Sequence, residues 1–329
     1  MLVLGIDTSC DDTSSSLLDI SDNGVEIISN IVSSQAEIHR KYGGIVPELA
    51  SRRHIEMIWH VVDEALKGTK PEELSAVAVC YGPGLIGSLL VGCSFAKAMC
   101  YSAGIPLVAV NHLEGHILSV FLAGEKPEFP FLALIASGGH TCLYRVDDYL
   151  KYTELGRTRD DAAGEAYDKV SKLLGLSYPG GPQIDRMAKT GNPKAIKFPR
   201  AYLPQSLDFS FSGLKTAVML TIRDNPRLNV NDIAASFQAS IVDVLVRKTE
   251  WAIKKHRIKR IALSGGVAAN SELRKRMTEM AEERDAELYI PPVSFCTDNA
   301  AMIALAGYHH FIRGDTAGLD LNPRAYLPL

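Results

Sequence analysis

The 329-residue chain is 47% apolar, long enough for two domains and rich enough in hydrophobic residues to build sizeable cores. Its 35 Lys and Arg against 38 Asp and Glu leave a net charge of -3, which excludes a global positive field and confines any nucleic-acid contact to local patches. Six cysteines without a C-x-x-C pair, no basic leader ahead of the first strand and no apolar run expected to span a bilayer point to a cytoplasmic protein in a reducing compartment, with no membrane partner.

Leu2 to Ile6 predicts a strand, Asp7 to Thr13 a polar turn, and Ser14 to Ile20 a second strand returning antiparallel. Hydroxyls and free backbone N–H groups in such a turn can hold phosphate, with Asp7 and Asp11 orienting a cation or water; a solvated turn has the same composition. After the Gly43-Gly44 break, apolar residues at helical spacing predict a surface helix from Pro47 to Leu66, with Arg52, Arg53 and His54 able to meet an anionic partner. Ala76–Tyr81 reads as a strand, Gly82–Gly87 as a glycine-rich loop and Ser88–Tyr101 as an apolar helix. The loop lacks the Gly-Lys-Ser/Thr ending of a P-loop and the ribose-binding acid of a dinucleotide fingerprint.

Ile105–Val110 has the β-branched content of a buried parallel strand, and Asn111 follows it as an N-cap, with Glu114 three residues on in the pattern of a capping box. A helix opening at His112 sets His112 and His116 on one face, at the spacing two imidazoles need to grip one metal ion. Glu114 lies two positions after His112, roughly 200° round an ideal helix. It is therefore badly placed for the role of the zinc-protease glutamate, which directly follows its histidine. The pair alone fits equally well with two polar residues at a helix start, and a third ligand decides between the readings.

Phe131–Ala136, the Ser137–Thr141 turn and Cys142–Val146 repeat the opening hairpin, and the strand–glycine loop–helix unit of Ala76–Tyr101 recurs in Arg260–Glu283. This duplication predicts an α/β protein with two similar lobes facing each other across a cleft that would take a nucleotide. Asp160–Gly175 reads as a helix, Tyr178–Pro182 as a rigid turn, and Asp185 as the start of another helix, with Asp168 and Asp185 as hydroxyl-binding candidates. Phe198–Thr216 reads as a long surface excursion, and Val230–Ile253 as an amphipathic helix. The basic run Lys254–Arg260 that follows suits either a helix dipole or phosphate contact. A strand ending at Ser264 leads into Gly265-Gly266, where backbone can press against a base or ribose, and Asn270 opens the next helix. Asp298, before the apolar helix Ala300–Ile312, either caps that helix or supplies the third ligand of a set favoured by non-haem Fe(II) and tolerated by zinc.

Nine ordered motifs, Gly5–Thr13, Gly43–Glu48, Gly82–Leu89, Asn111–His116, Ser137–Thr141, Tyr178–Pro182, Phe209–Thr216, Gly265–Asn270 and Cys296–Met302, resemble the TsaD family of tRNA adenosine threonylcarbamoyltransferases along nearly the whole chain. The Ser-Gly-Gly-His-Thr turn, with His140, resembles the bacterial and organellar branch. The resemblance implies the actin/Hsp70/sugar-kinase fold, with two ribonuclease-H-like lobes, one over residues 1–110 completed by 300–329 and one over 111–299. It further implies transfer of threonylcarbamoyl from threonylcarbamoyl-adenylate to the exocyclic amine of the adenosine beside the tRNA anticodon. Carried over by motif, it implies His112, His116 and Asp298 as ligands of one divalent metal, Fe(II) favoured and Zn(II) possible, and places Asp11 on the acidic residue of the first hairpin, the catalytic candidate for general base. Ile135, Ala136, Ser137, Gly138, Gly139, Asp168, Gly181, Asp185 and Asn270 fall on substrate- and nucleotide-binding positions. The implied partners are tRNA, the adenylate, a smaller paralogue, TsaB, and an ATPase, TsaE. Asp7 is a departure, since many relatives carry the longer glutamate there. Rival readings of the same features are an actin-like ATPase scaffold and a metalloendopeptidase.

Overall fold

β1 (Leu2–Asp7), β2 (Asp12–Ser21) and β3 (Gly24–Ser34) form an antiparallel meander at the start of the chain. There follow α1 (Ala36–Arg40), α2 (Pro47–Leu66), β4 (Ala76–Gly82), α3 (Ile86–Ala103), β5 (Leu107–Asn111) and α4 (His112–Leu118). β4 pairs parallel with β1 and β5 parallel with β4, so the sheet runs β3-β2-β1-β4-β5. Successive side chains on a strand face opposite ways, and here Leu4 and Ile6 join a core with Ile58 and Val62 of α2 and Cys93 and Ala96 of α3. The computed structural model describes residues 1–122 and 124–329.

The second sheet is made by β6 (Phe131–Ala136), β7 (Thr141–Asp148), β8 (Lys151–Arg157), β9 (Arg260–Ser264) and β10 (Glu287–Tyr289). Between and after these strands lie α5 (Ala163–Leu173), α6 (Gly180–Ala188), α7 (Ser212–Asp224), α8 (Val230–His256), α9 (Ser271–Glu283) and α10 (Val293–Cys296). The strand order is β10-β9-β6-β7-β8, with β6, β7 and β8 antiparallel and β9 and β10 added in parallel. β6 to β10 thus repeat the order and directions of β1 to β5, and the duplication expected from the two hairpins is present strand for strand. α11 (Ala300–Phe311) then returns to the first sheet, packing on β1, β2 and β4. It approaches so closely that a Cβ at Gly5 would lie 2.2 Å from the Ala300 carbonyl oxygen.

The chain divides into two compact units, Met1–Gly124 with Asp298–Leu329, and Glu125–Thr297. The histidine helix α4 therefore belongs to the first unit, where it packs on α11 and β5, rather than opening the second. Three further expectations are corrected. Asp185 sits in the middle of α6, because the helix already begins at Gly180: Pro182, in its first turn, loses no hydrogen bond there. The stretch from Phe198 to Thr216 is no surface excursion, since Phe198, Leu207, Phe209 and Phe211 are buried in the second core and α7 begins at Ser212. α3 is, by length and composition, apolar enough to cross a membrane, yet its Leu89, Cys93, Ala96 and Cys100 are buried and the helix packs on α2 and β4.

Candidate active site

Asp7, Cys80 and His112 stand at the C-terminal ends of the adjacent parallel strands β1, β4 and β5, the edge where open α/β sheets place their ligands. Asn111 caps α4, its side-chain oxygen accepting from the Leu113 N–H at 2.9 Å, and all seven residues of the helix are buried. One turn apart, the His112 and His116 rings meet edge-on with centroids 4.7 Å apart. Asp298 Oδ1 lies 3.5 Å from His112 Nε2 and 3.2 Å from His116 Nε2. Asp298 is free for this because the next residue, Asn299, caps α11 by accepting from the Met302 N–H at 3.1 Å.

The three side chains place ligand atoms within 4.8 Å of one another. Their polar environment suits a cation: among the described residues Nδ1 of fully buried His116 has no partner, a deficit of about 1–3 kcal/mol for a desolvated polar group, and Nε2 makes no well-formed hydrogen bond but faces the Asp298 carboxylate. Burial holds the His116 imidazole below the usual histidine range despite Asp298, and the neutral ring is the form that ligates. Burial would lower His112 too, but Asp298 and then Asp7 outweigh it and raise the imidazole well above its usual value. Against its own burial, Asp298 is held well below the carboxylate range, first by His112. A second trio, Asp7, Cys80 and His112, is equally close together, but burial pushes the Cys80 thiol up to about 12, so it is no thiolate.

Asp7 acts on His112 from behind. Its Oδ2 is 3.1 Å from His112 Nδ1, and its Oδ1 accepts the Ser9 N–H at 2.8 Å. A carboxylate on Nδ1 fixes the tautomer that leaves Nε2 bare, the arrangement found behind metal-bound histidines. The shorter aspartate therefore still reaches the ring. Glu114 does not complete a capping box; its Oε2 pairs with His310 Nε2 of α11 at 2.8 Å, which turns it away from the role of a protease base. The glycine-rich loop after β4 serves packing: a Cβ at Gly84 would lie 2.5 Å from the Ser9 carbonyl oxygen. Asp11 and Asp12 sit at the hairpin tip, and burial together with Asp11 pushes the Asp12 carboxyl up to about 7.

In the second unit, the expected substrate positions are joined by short contacts. Ile135 pairs with Ser264 across β6 and β9, which brings the Ser137–Gly139 turn beside Gly265. Gly265 is required there: its φ is +89°, and a Cβ would lie 2.3 Å from the Ala136 carbonyl oxygen. Gly138, Gly139, Gly181 and Gly266 face open space, leaving their backbone accessible. Ile135 and Ala136 have fully buried side chains, so only their main chain is available to a ligand. Asp168 Oδ1 accepts the Gly180 N–H at 2.7 Å, and Asp185 Oδ1 accepts from Ser271 Oγ at 2.8 Å. Asn270 caps α9 and donates to Gln238 Oε1 at 2.7 Å. Gln238 escaped the sequence reading; its only signal is a glutamine among the buried positions of α8.

Most of the basic residues singled out as nucleic-acid candidates are paired with acids. Arg52 meets Glu48 at 2.6 Å, Arg53 meets Glu56 at 2.7 Å, Lys254 meets Glu250 at 2.8 Å and Arg260 meets Glu128 at 2.7 Å. Lys255 and Arg257, both exposed, have no ion pair among the described residues.

Comparison with known proteins bears on the whole chain. The profile of TsaD, tRNA N6-adenosine threonylcarbamoyltransferase, matches residues 26–305. Proteins named tRNA N6-adenosine threonylcarbamoyltransferase from Thermodesulfovibrio yellowstonii and Desulfitobacterium hafniense are 58% and 54% identical. The first covers 100% of both chains, and the second 97% of this chain and 95% of its own. Among solved structures, the activator of the 2-hydroxyisocaproyl-CoA dehydratase from Clostridium difficile, with bound ADPNP, aligns at TM-score 0.55 and 16% identity over 95% of this chain and 97% of that one. Full-length HypF in its phosphate- and nucleotide-bound form aligns at TM-score 0.60 and 14% identity over 94% of this chain, which spans 46% of HypF. At such identities the likeness shows the fold alone, the actin/Hsp70/sugar-kinase class. With its profile matched from residue 26 to 305 and relatives above half identity along its length, the chain belongs to the TsaD family of tRNA N6-adenosine threonylcarbamoyltransferases.

Proposed function

We propose that the protein transfers the threonylcarbamoyl group of threonylcarbamoyl-adenylate to the exocyclic amine of the adenosine beside the anticodon, in tRNAs reading codons that begin with A. The amine nitrogen bonds to the carbamoyl carbon, the bond from that carbon to the phosphate oxygen breaks, and AMP departs with the electron pair. The observation that carries this reading is the convergence of the buried His112 and His116 imidazoles on the partly buried Asp298 carboxylate in a chain of this family. An ATPase scaffold would leave that set without a role, and a protease would need Glu114, which His310 holds.

The residues take these roles. A divalent ion held by His112, His116 and Asp298, Fe(II) by preference and Zn(II) as the alternative, would supply Lewis acidity toward the acyl phosphate. Asp7 keeps His112 in the ligating tautomer, and Asp11 accepts the proton lost by the amine. In the second unit, Asp168 and Asp185 serve the ribose hydroxyls. The backbone of Ser137–Gly139 and Gly181 serves the phosphate side, and Gly265, Gly266 and Asn270 the adenine. AMP is a good leaving group, so positioning and charge stabilisation account for most of the rate.

Exposed Lys255 and Arg257 support a tRNA contact on the second unit. For a protein partner, the family analogy names TsaB, with TsaE as the ATPase. α2 and α3 pack side by side and leave Ile55, Trp59, Ile86 and Leu90 between 52% and 65% exposed, an apolar surface suited to such a partner. We place the reaction in the cytoplasm, where its tRNA substrate is found. The test is to supply threonylcarbamoyl-adenylate, unmodified tRNA and the partner proteins, then digest the tRNA to nucleosides. Mass spectrometry should find threonylcarbamoyladenosine appearing with AMP; nucleotide hydrolysis or peptide cleavage without that nucleoside refutes the reading.

A further inference from the structure

The turn that carries Asp11 is clasped at three consecutive carbonyls by three different parts of the first unit. The Ser9 carbonyl accepts from the Leu85 N–H at 2.8 Å, and the Asp11 carbonyl from the Gln35 N–H at 3.1 Å. The carbonyl between them, that of Cys10, lies 2.9 Å from Nε2 of His54, a fully buried residue of α2. The other ring nitrogen of the same histidine, Nδ1, lies 2.7 Å from Oγ1 of Thr13. His54 thus holds the chain on both sides of Asp11, one residue before it and two residues after.

The chemistry of these partners fixes how the ring works. A carbonyl oxygen only accepts, so Nε2 carries the proton and donates to Cys10. Burial keeps the imidazole below its usual range, so Nδ1 is bare and accepts from the Thr13 hydroxyl. One neutral tautomer satisfies both contacts, and no other side chain offers a donor and an acceptor at this separation with the same stiffness. Family resemblance assigned His54 no role, and the sequence set it beside Arg52 and Arg53 as able to meet an anionic partner, a reading the fully buried ring corrects.

We infer that His54 is a positioning residue for the transfer reaction, fixing from α2 the turn that presents Asp11. The inference rests on the reading above in which Asp11 accepts the amine proton. A misplacement of about 1 Å in such a group costs on the order of a hundredfold in rate. The rate of the bound complex should therefore suffer while adenylate binding and metal content do not.

The test uses the full chain with its partner proteins and measures kcat and KM for threonylcarbamoyladenosine formation, metal content and thermal midpoint. His54→Asn keeps an acceptor for Thr13 but loses the reach to Cys10, whereas His54→Gln carries an amide donor out to the distance of Nε2. The expected result is a kcat roughly tenfold to a hundredfold lower in His54→Asn, mostly restored in His54→Gln, with KM for the adenylate and bound metal unchanged in both. Thr13→Val, which removes only the hydroxyl that meets Nδ1, should lower kcat less. Equal kcat in the Asn and Gln variants, or a loss that follows metal content or thermal midpoint, overturns the inference. Asp11→Ala separates it from the reading beneath: wild-type transfer by that variant overturns the role of Asp11 and this inference with it. Loss of transfer in Asp11→Ala beside wild-type kcat in His54→Asn overturns the inference alone.

Discussion

The two units share one strand order but build their functional edges from different material. At the C-terminal ends of β1, β4 and β5 the first unit buries side chains: His112 and His116 with Asp298 in front of them and Asp7 behind His112. At the matching ends of β6 and β9 the second unit offers main chain, with open approach at Gly138, Gly139 and Gly266 and with Asp168 and Asn270 bonded to neighbouring helix starts. Buried charge in the one case and accessible backbone in the other teach that a duplicated fold fixes where a site lies, not what chemistry it performs.

The difference predicts how each side fails. The largest effect belongs to Asp298→Asn, which removes the anionic member of the histidine set. Transfer should fall about a thousandfold, the worth of several kcal/mol of charge stabilisation, together with metal content measured on the purified protein. Retention of both would place the chemistry elsewhere. Asp168→Ala should act on the nucleotide side, because it frees the Gly180 N–H and loosens the start of α6. Steady-state kinetics should show KM for the adenylate raised roughly tenfold or more, with kcat and metal content nearly unchanged. A fall in kcat alone would erase the contrast between the units.

Charge reversal at Lys255 and Arg257 should leave the adenylate kinetics intact and weaken tRNA binding, flattening its salt dependence by about one unit of slope for each phosphate no longer neutralised. Binding isotherms at several salt concentrations measure this, and unchanged slopes would move the RNA surface elsewhere. The smallest effect concerns stability. Against the cost of burial, Lys254 and Arg247, with Arg284 beside them, hold the Glu250 carboxyl down to about 2 from its ordinary 4.5. A depressed folded pKa stabilises above the unfolded value, and that stabilisation disappears as pH falls toward the folded one. Wild type should therefore lose this contribution between about pH 4.5 and 2, while Glu250→Gln should be less stable near neutrality by about 1–2 kcal/mol and flatter in that window. Denaturant midpoints at a series of pH values decide it, and activity at neutral pH should not change.

Much of this was legible in the chain, for identifiable reasons. The histidine pair and its N-cap are local, four residues and one residue of spacing, and the hairpins repeat with the same turn composition, so both can be read without tertiary information. Asp298 stood in the sequence as either a helix cap or a third ligand, and the choice needed the structure, where Asn299 supplies the cap instead. The Asp7–His112 contact could not be read, because 105 residues separate partners that only adjacent parallel strands bring together. Gln238 was hidden in the same way, its bond to Asn270 joining α8 to the start of α9. β3 and β8 went unassigned because few of their residues are buried and no apolar run marks them, unlike the edge strand β5, whose apolar residues are mostly buried. The buried Phe209 and Phe211 escaped because their loop follows neither period, being shaped by the core it fills.

One imidazole, His116, fully buried with Nε2 turned to the Asp298 carboxylate and Nδ1 without a hydrogen bond among the described residues, is central to all of this: on our reading it exists to bind the ion on which transfer depends. The most direct measurement is made on His116→Ala in parallel with wild type: metal content of the protein, affinity for the adenylate, and threonylcarbamoyladenosine formed on tRNA with the partner proteins present. Metal and nucleoside should disappear together while the adenylate still binds. Wild-type metal content and wild-type nucleoside formation in that variant would contradict the role given to His116.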